Sequence, residues 1–142
     1  MNDDVLEIQR LAQVYADGVM QRDADIWGDT FTEDGIWVLP GMDGVQGRDT
    51  LKAFWTQVMS GYPNVLHWVQ PGIITVDGDT ATARFYVQEN IKDANGDSFR
   101  VAGVYNDELR REEGAWKFAV RRFHSMYRGP VDMSGEWLGY PA

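Results

Sequence analysis

Residues 98–127, SFRVAGVYNDELRREEGAWKFAVRRFHSMY, are two long runs of alternating side chains joined by Glu112-Glu113-Gly114. Each run, 98–110 and 115–127, is about twice the usual strand length of roughly five to six residues. Long antiparallel strands twist and coil. The hollow side of a coiled sheet has to be filled or covered. The stretch therefore predicts a cupped sheet closed by helices, which is a natural small-molecule pocket.

Working outward, the period of two continues upstream. Thr80 to Ile91 reads as a long strand turned back by Asp93 to Asp97, and Asp77-Gly78-Asp79 as the hairpin turn before it. Val65 to Val69 and Ile73 to Val76 are strands, with Pro71-Gly72 marking a bend or bulge between them. Earlier still, the period is helical. Ile8, Leu11, Ala12, Tyr15 and Val19 form one stripe in a helix over Asn2 to Arg22, with Asp4 and Glu7 as an acidic capping box. Asp23 caps a second, short helix. Asp34-Gly35 signals a turn, Ile36 to Leu39 a short strand, and the glycines up to Gly47 a loop. Leu51, Phe54, Trp55, Val58 and Met59 define a third helix stopped near Gly61. Three helices with one early strand, then a meander, is an α+β order. The 142 residues form one domain, with 128–142 as a C-terminal tail.

Composition narrows the partners. A net charge of -9 without any Lys/Arg cluster argues against a phosphate backbone. No apolar run approaches the roughly 20 residues of a membrane span. The acidic start MNDDVLEIQR is no signal peptide. The absence of cysteine removes disulfides and thiolate chemistry and fits the cytoplasm. Two histidines far apart, without a carboxylate cluster, give no metal site, and the Gly41 to Gly47 segment follows no long strand, so no nucleotide loop is implied. No cofactor is expected.

The segments YADGVMQRDADIWGDTFTEDGIW, GRDTLKAFW, LHWV and GVYNDELRREEGAWKFAVRRF together resemble the SnoaL-like branch of the NTF2-like superfamily, which includes scytalone dehydratase and hexachlorocyclohexane dehydrochlorinase. The resemblance spans roughly residues 5 to 128. It implies an NTF2-like cone, three helices on a strongly curved, mainly antiparallel sheet around a deep pocket. The lyases of this family use a His-Asp dyad. His67 matches the histidine. The aspartate lies five residues after a helix-1 tyrosine; Tyr15 matches that tyrosine, but the fifth residue onward is Met20. The dyad is half present unless another acid reaches His67.

The resemblance also implies pocket positions for Tyr15, Arg121 and Tyr105, with Val101 on the face of Tyr105 and Ser125 on the parity of Arg121. Arg122, His124 and Met126 then point outward, and a bulge would reverse that. On the strand Thr80 to Ile91, period alone makes Ala83, Phe85, Val87 and Glu89 the core face. Alignment through Tyr105 instead puts Tyr86 and Gln88 in the pocket and leaves the apolar face for a homodimer contact. The expectation follows the alignment. Trp37 and Trp55 are further pocket aromatics, each with core packing as its bland alternative, and Met20 makes a soft apolar floor. His67 itself reads either as a base or as a core histidine bonded locally.

The function expected is a cofactor-independent enzyme of lyase, isomerase or cyclase type acting on a hydrophobic, aromatic or polycyclic small molecule. His67 is its acid or base, and Arg121 with Tyr15 or Tyr105 stabilises developing oxygen charge. The rival is a non-catalytic binding module, motivated by Met20.

Overall fold

The computed structural model describes residues 3–141. Its elements run α1 (Asp4–Gln21), α2 (Ala24–Gly28), β1 (Phe31–Val38), β2 (Val45–Gln46), α3 (Arg48–Met59), β3 (Asn64–Val69), β4 (Ile73–Asp77), β5 (Thr80–Lys92), β6 (Ser98–Glu112) and β7 (Ala115–Pro130). The sheet order is β2-β1-β7-β6-β5-β3, with β4 also paired to β5. All pairings are antiparallel except β1 with β7, which is parallel. This is the expected α+β, NTF2-like arrangement. No helix among the described residues is long and apolar enough to cross a membrane.

The helical stripe of α1 is buried at Ile8, Leu11, Ala12, Tyr15 and Val19, and α3 adds Leu51, Trp55 and Met59. These residues pack on the inner sheet face, where Ala81, Ala83, Phe85 and Val87 of β5 meet Tyr105, Leu109, Trp116 and Phe118. Asp23 caps α2 as its sequence suggests, accepting from the backbone N–H groups of Asp25 and Ile26.

Several boundaries differ from the sequence reading, each for a local reason. The expected helix start at Asn2 lies outside the described residues. Asp4 is the first helical residue rather than a cap. Its carboxylate takes Arg111 and the Trp116 indole N–H, tying α1 to the final hairpin. Asp34-Gly35 is no turn: it sits inside β1, where the register against β7 shifts between Phe31 and Ile36. Asp34 accepts from Thr32 and Arg110. Val45–Gln46 adds an edge strand in place of a loop. The tail starts later than residue 128, because Val101 and Phe99 of β6 still pair with Arg128 and Pro130.

Two bulges in β7 decide which of its side chains face the helices. Leu109 pairs with Phe118 but Glu108 with Val120, so Ala119 is the extra residue. Gly103 pairs with Ser125 but Ala102 with Tyr127, so Met126 is the other. Each bulge flips the parity of the residues beyond it. Trp116 and Phe118, then Arg121, Phe123 and Ser125, then Arg128, all end on the concave side.

Helices α1 and α2 approach very closely at Gly18. A Cβ there would stand 2.6 Å from the backbone nitrogen of Trp27 and 2.8 Å from its Cα. Backbone cannot yield as a side chain can. Gly18→Ala should therefore lower stability by about 1–3 kcal/mol, the usual overpacking cost, as a clear fall in the thermal midpoint. Gly61→Ala, with no atom nearer than 3.6 Å, should change it little.

Candidate active site

Residue registers stack the concave face in rows. At the rim, Val65, Ile91 and Phe99 lie side by side across β3, β5 and β6. The next row is His67, Glu89, Val101 and Arg128, across β3, β5, β6 and β7. Deeper come Phe85, Tyr105 and Phe123, and then Ala83, Asp107, Arg121 and Trp37. Between the upper rows and the helices is a cavity of about 400 Å³, within the range of about 300–1,000 Å³ usual for small-molecule sites.

His67 is buried on the cavity wall. Glu89, its direct neighbour on β5, places a carboxylate oxygen 3.0 Å from Nδ1. A carboxylate only accepts, so Nδ1 carries a proton, and in the neutral imidazole Nε2 presents its lone pair. Nε2 is buried and has no hydrogen-bond partner among the described residues. The arrangement is that of a base oriented by an acid, with the basic nitrogen left open.

Tyr15 from α1 and Tyr105 from β6 share a hydrogen bond of 2.9 Å, and the Trp37 indole N–H donates to Tyr105 at 3.4 Å. The two hydroxyls carry two protons, and only one can lie between them. The indole can only donate. One O–H is therefore left to donate to a third group. Burial, assisted by the neighbouring Tyr105, pushes the Tyr15 hydroxyl well above its ordinary pKa, and burial also raises that of Tyr105. Both remain neutral donors near pH 7.

Beneath this pair lies Arg121. Its guanidinium sits 4.4 Å from the Tyr15 ring centre, 3.8 Å from that of Tyr105 and 4.0 Å from that of Phe118. It donates twice to Asp107, at 2.9 and 3.1 Å, and both side chains are fully buried. Burial disfavours the cation, but the Asp107 carboxylate and the two tyrosines outweigh it and hold Arg121 charged.

The residues singled out in the sequence divide accordingly. Tyr15, Trp37, Trp55 and His67 line the cavity, as do Val101, Tyr105 and Ser125. Arg121 does not; the aromatic rings roof it over. Met20 does not either. It faces a separate groove under the C-terminal tail, and its sulfur accepts the backbone N–H of His67 at 3.3 Å, so it backs the histidine instead of flooring the pocket. Tyr86 and Gln88 point to the opposite side of the sheet, and Tyr86 is 43% exposed. The β5 residue level with Tyr105 is Phe85, and directly opposed residues share a face. Period, not alignment, gives the right face of β5. That apolar face is covered by α1 and α3, which removes the basis on which a homodimer was expected.

Three charged residues of the cavity or its floor were missed: Glu89, Asp107 and Arg128. The first two had a signal. Each is the lone acid on a mostly apolar face of its strand. Arg128 had none of its own, because its orientation depends on the bulge at Met126, of which Gly103 is the one trace. Among the described residues no group of three or more His, Asp or Glu could hold a metal ion.

Known proteins share this outline. The SnoaL-like domain family matches residues 2–122. An uncharacterised protein of Mycobacterium tuberculosis is 32% identical over 123 residues, covering 84% of this chain and 82% of its own. A crystal structure from Novosphingobium aromaticivorans, assigned provisionally as an aromatic ring hydroxylase, is 30% identical with a TM-score of 0.83, covering 91% of this chain and 94% of that one. A type 2 hexachlorocyclohexane dehydrochlorinase also superposes with a TM-score of 0.83, covering 90% of this chain and 88% of its own. At 21% identity, that likeness shows the fold alone.

Two outcomes test this geometry. In nitrogen-15 spectra of neutral His67, the proton should reside on Nδ1, and Glu89→Leu should move it toward Nε2, the tautomer free imidazole favours. Asp107→Asn should cost about 3–5 kcal/mol in denaturant unfolding, because it leaves the buried Arg121 cation uncompensated.

Proposed function

The chain belongs to the SnoaL-like family, and from that premise we propose that it is a cofactor-independent enzyme. It removes or delivers a proton on a mostly apolar cyclic compound, in a reaction of lyase, isomerase or cyclase type. The observation that carries this reading is the unpartnered, buried Nε2 of His67, with Nδ1 bonded to Glu89. His67 is the base, and Glu89 fixes its tautomer and stabilises the imidazolium once the proton arrives. The spare O–H of the Tyr15–Tyr105 pair donates to the substrate oxygen on which charge develops. Arg121 touches no substrate. It is a positioning residue whose buried cation favours negative charge building beside the two tyrosines.

The same observation favours catalysis over a purely binding role. A binding module has no need of an oriented base, and the acid absent at Met20 has a counterpart in Glu89. The apolar lining, with Trp37, Trp55, Val101 and Phe123, supports a hydrophobic substrate. It also limits the access of water to the imidazole.

The test needs no prior substrate. Cyclic ketones such as 1-tetralone and 2-tetralone are incubated with the protein in deuterium oxide, and label at the α-carbon is followed by mass spectrometry. The native protein should accelerate exchange of at least one ketone, and His67→Gln should slow it by about 10²-fold or more, the common span for a general base. Glu89→Leu should slow it less, because a misoriented imidazole is still present. Exchange that is unchanged in His67→Gln would remove the histidine from the chemistry.

A further inference from the structure

Opposite His67, the same cavity carries a cation that the proton-transfer reading does not use. Arg128 on β7 closes the row that begins with His67 and runs through Glu89 and Val101. It lines the cavity and is exposed at its mouth. Its guanidinium lies 4.7 Å from the ring centre of Phe99, also a cavity residue. No carboxylate pairs with it among the described residues, although the chain holds 22 acids against 13 Lys and Arg. Arg48, Arg110, Arg111, Arg121 and Arg122 all hold carboxylates; among the described residues Arg10, Arg22, Arg84 and Arg100 do not, but none of these four lines the cavity.

Local structure aims this side chain inward. Residues 125 and 128 are three apart, and in a regular strand they would face opposite sides. The extra residue at Met126 puts both Ser125 and Arg128 on the concave side. The partner strand accommodates the bulge only because position 103 is glycine. A Cβ there would come within 2.2 Å of the His124 carbonyl oxygen and 2.7 Å of the Phe123 ring. Bulges beside sites commonly re-aim a side chain in this way.

The geometry points to a carboxylate-bearing substrate. The apolar body fills the cavity beside His67, and its carboxylate lies at the mouth against the Arg128 guanidinium with the Ser125 hydroxyl beside it. Three strand spacings separate His67 and Arg128, about 14 Å between Cα atoms along the sheet. Two side chains reaching inward leave room for a cyclic body between proton and anion. Phe99 restricts the guanidinium, and a planar fork with several N–H donors suits a carboxylate. Glu89 does not compete for it, because its carboxylate is engaged by His67. This assignment names the substrate class of the proposed active site and rests on the cavity being a substrate site.

The experiment measures binding, not turnover, so its result stands apart from whether His67 is a base. Matched pairs of a carboxylate and its primary amide are titrated, from benzoate and benzamide through 2-naphthoate and 2-naphthamide to the 9-anthracene pair. Trp37 and Trp55 in the cavity wall report by fluorescence quenching. In at least one pair the carboxylate should bind about tenfold or more tightly than the amide, and the preference should shrink with added salt. Arg128→Gln should bring the pair within about twofold. Arg122→Gln, on the outer face and paired with Glu108, should leave the preference intact. Amides binding as well as carboxylates, a preference surviving Arg128→Gln, or no carboxylate binding below millimolar would each overturn the assignment. His67→Gln should keep the preference. A protein that exchanges ketone protons but does not discriminate carboxylates would retain the proposed chemistry and lose this substrate class.

Discussion

Arg121 and Asp107 are withdrawn from water together, in the row below the cavity. Moving a charge into such a place costs several kcal/mol per ion, and a well-packed apolar pair would often serve stability as well. What the ion pair supplies is order. The guanidinium is fixed by two parallel hydrogen bonds, and three aromatic rings then pack on it at cation–π distance. Tyr15 comes from α1, Tyr105 from β6 and Phe118 from β7, so one cation joins helix to sheet. The hydroxyls of the two tyrosines meet above it, and Trp37 closes on them. The cavity floor is therefore a fixed surface with a defined donor, not a loose assembly of aromatics.

The fold was legible because it rests on long periodic signals. The α1 stripe and the 98–127 hairpin both lie where period alone dictates, and a curled sheet covered by helices is their consequence. Within the site, Tyr15, His67 and Tyr105 were named through the family resemblance, and for Tyr15 and His67 the apolar neighbours on the same face agreed with it. Tyr86 and Gln88 show the opposite case. Alignment to a distant relative puts both inward against a clean period of two, and a one-residue slip moves every side chain to the wrong side.

The strand β7 marks the physical limit of such reading. Ala119 and Met126 are ordinary residues, and nothing in their chemistry announces an extra position. Yet the first bulge brings Arg121 to the same side as Trp116 and Phe118, and the second brings Arg128 to the same side as Ser125. Glycine opposite the second bulge was the sole trace in the sequence. Gly103 could equally have been a small residue on a pocket wall. Only the register of both strands tells which.

The orienting acid raises a separate structural point. A dyad split between α1 and a strand depends on how the helix docks, so any shift of α1 lengthens the hydrogen bond that sets the tautomer. His67 and Glu89 instead face each other across one antiparallel pair, in continuous register from Asn64 with Lys92 to Val69 with Val87. Directly opposed residues on a sheet are held about 4.5–5.5 Å apart by the ladder itself. Glutamate on β5 thus orients the imidazole through the backbone of the sheet. Position 20 on α1 is released from that duty, and Met20 fills it with a soft side chain whose sulfur accepts the histidine's own backbone N–H. The helix then contributes to the site through Tyr15 alone among its polar groups, and that residue is anchored by Arg121. In this chain the sheet carries both His67 and the acid that orients it, and the helix adds Tyr15 to the hydroxyl pair it shares with Tyr105.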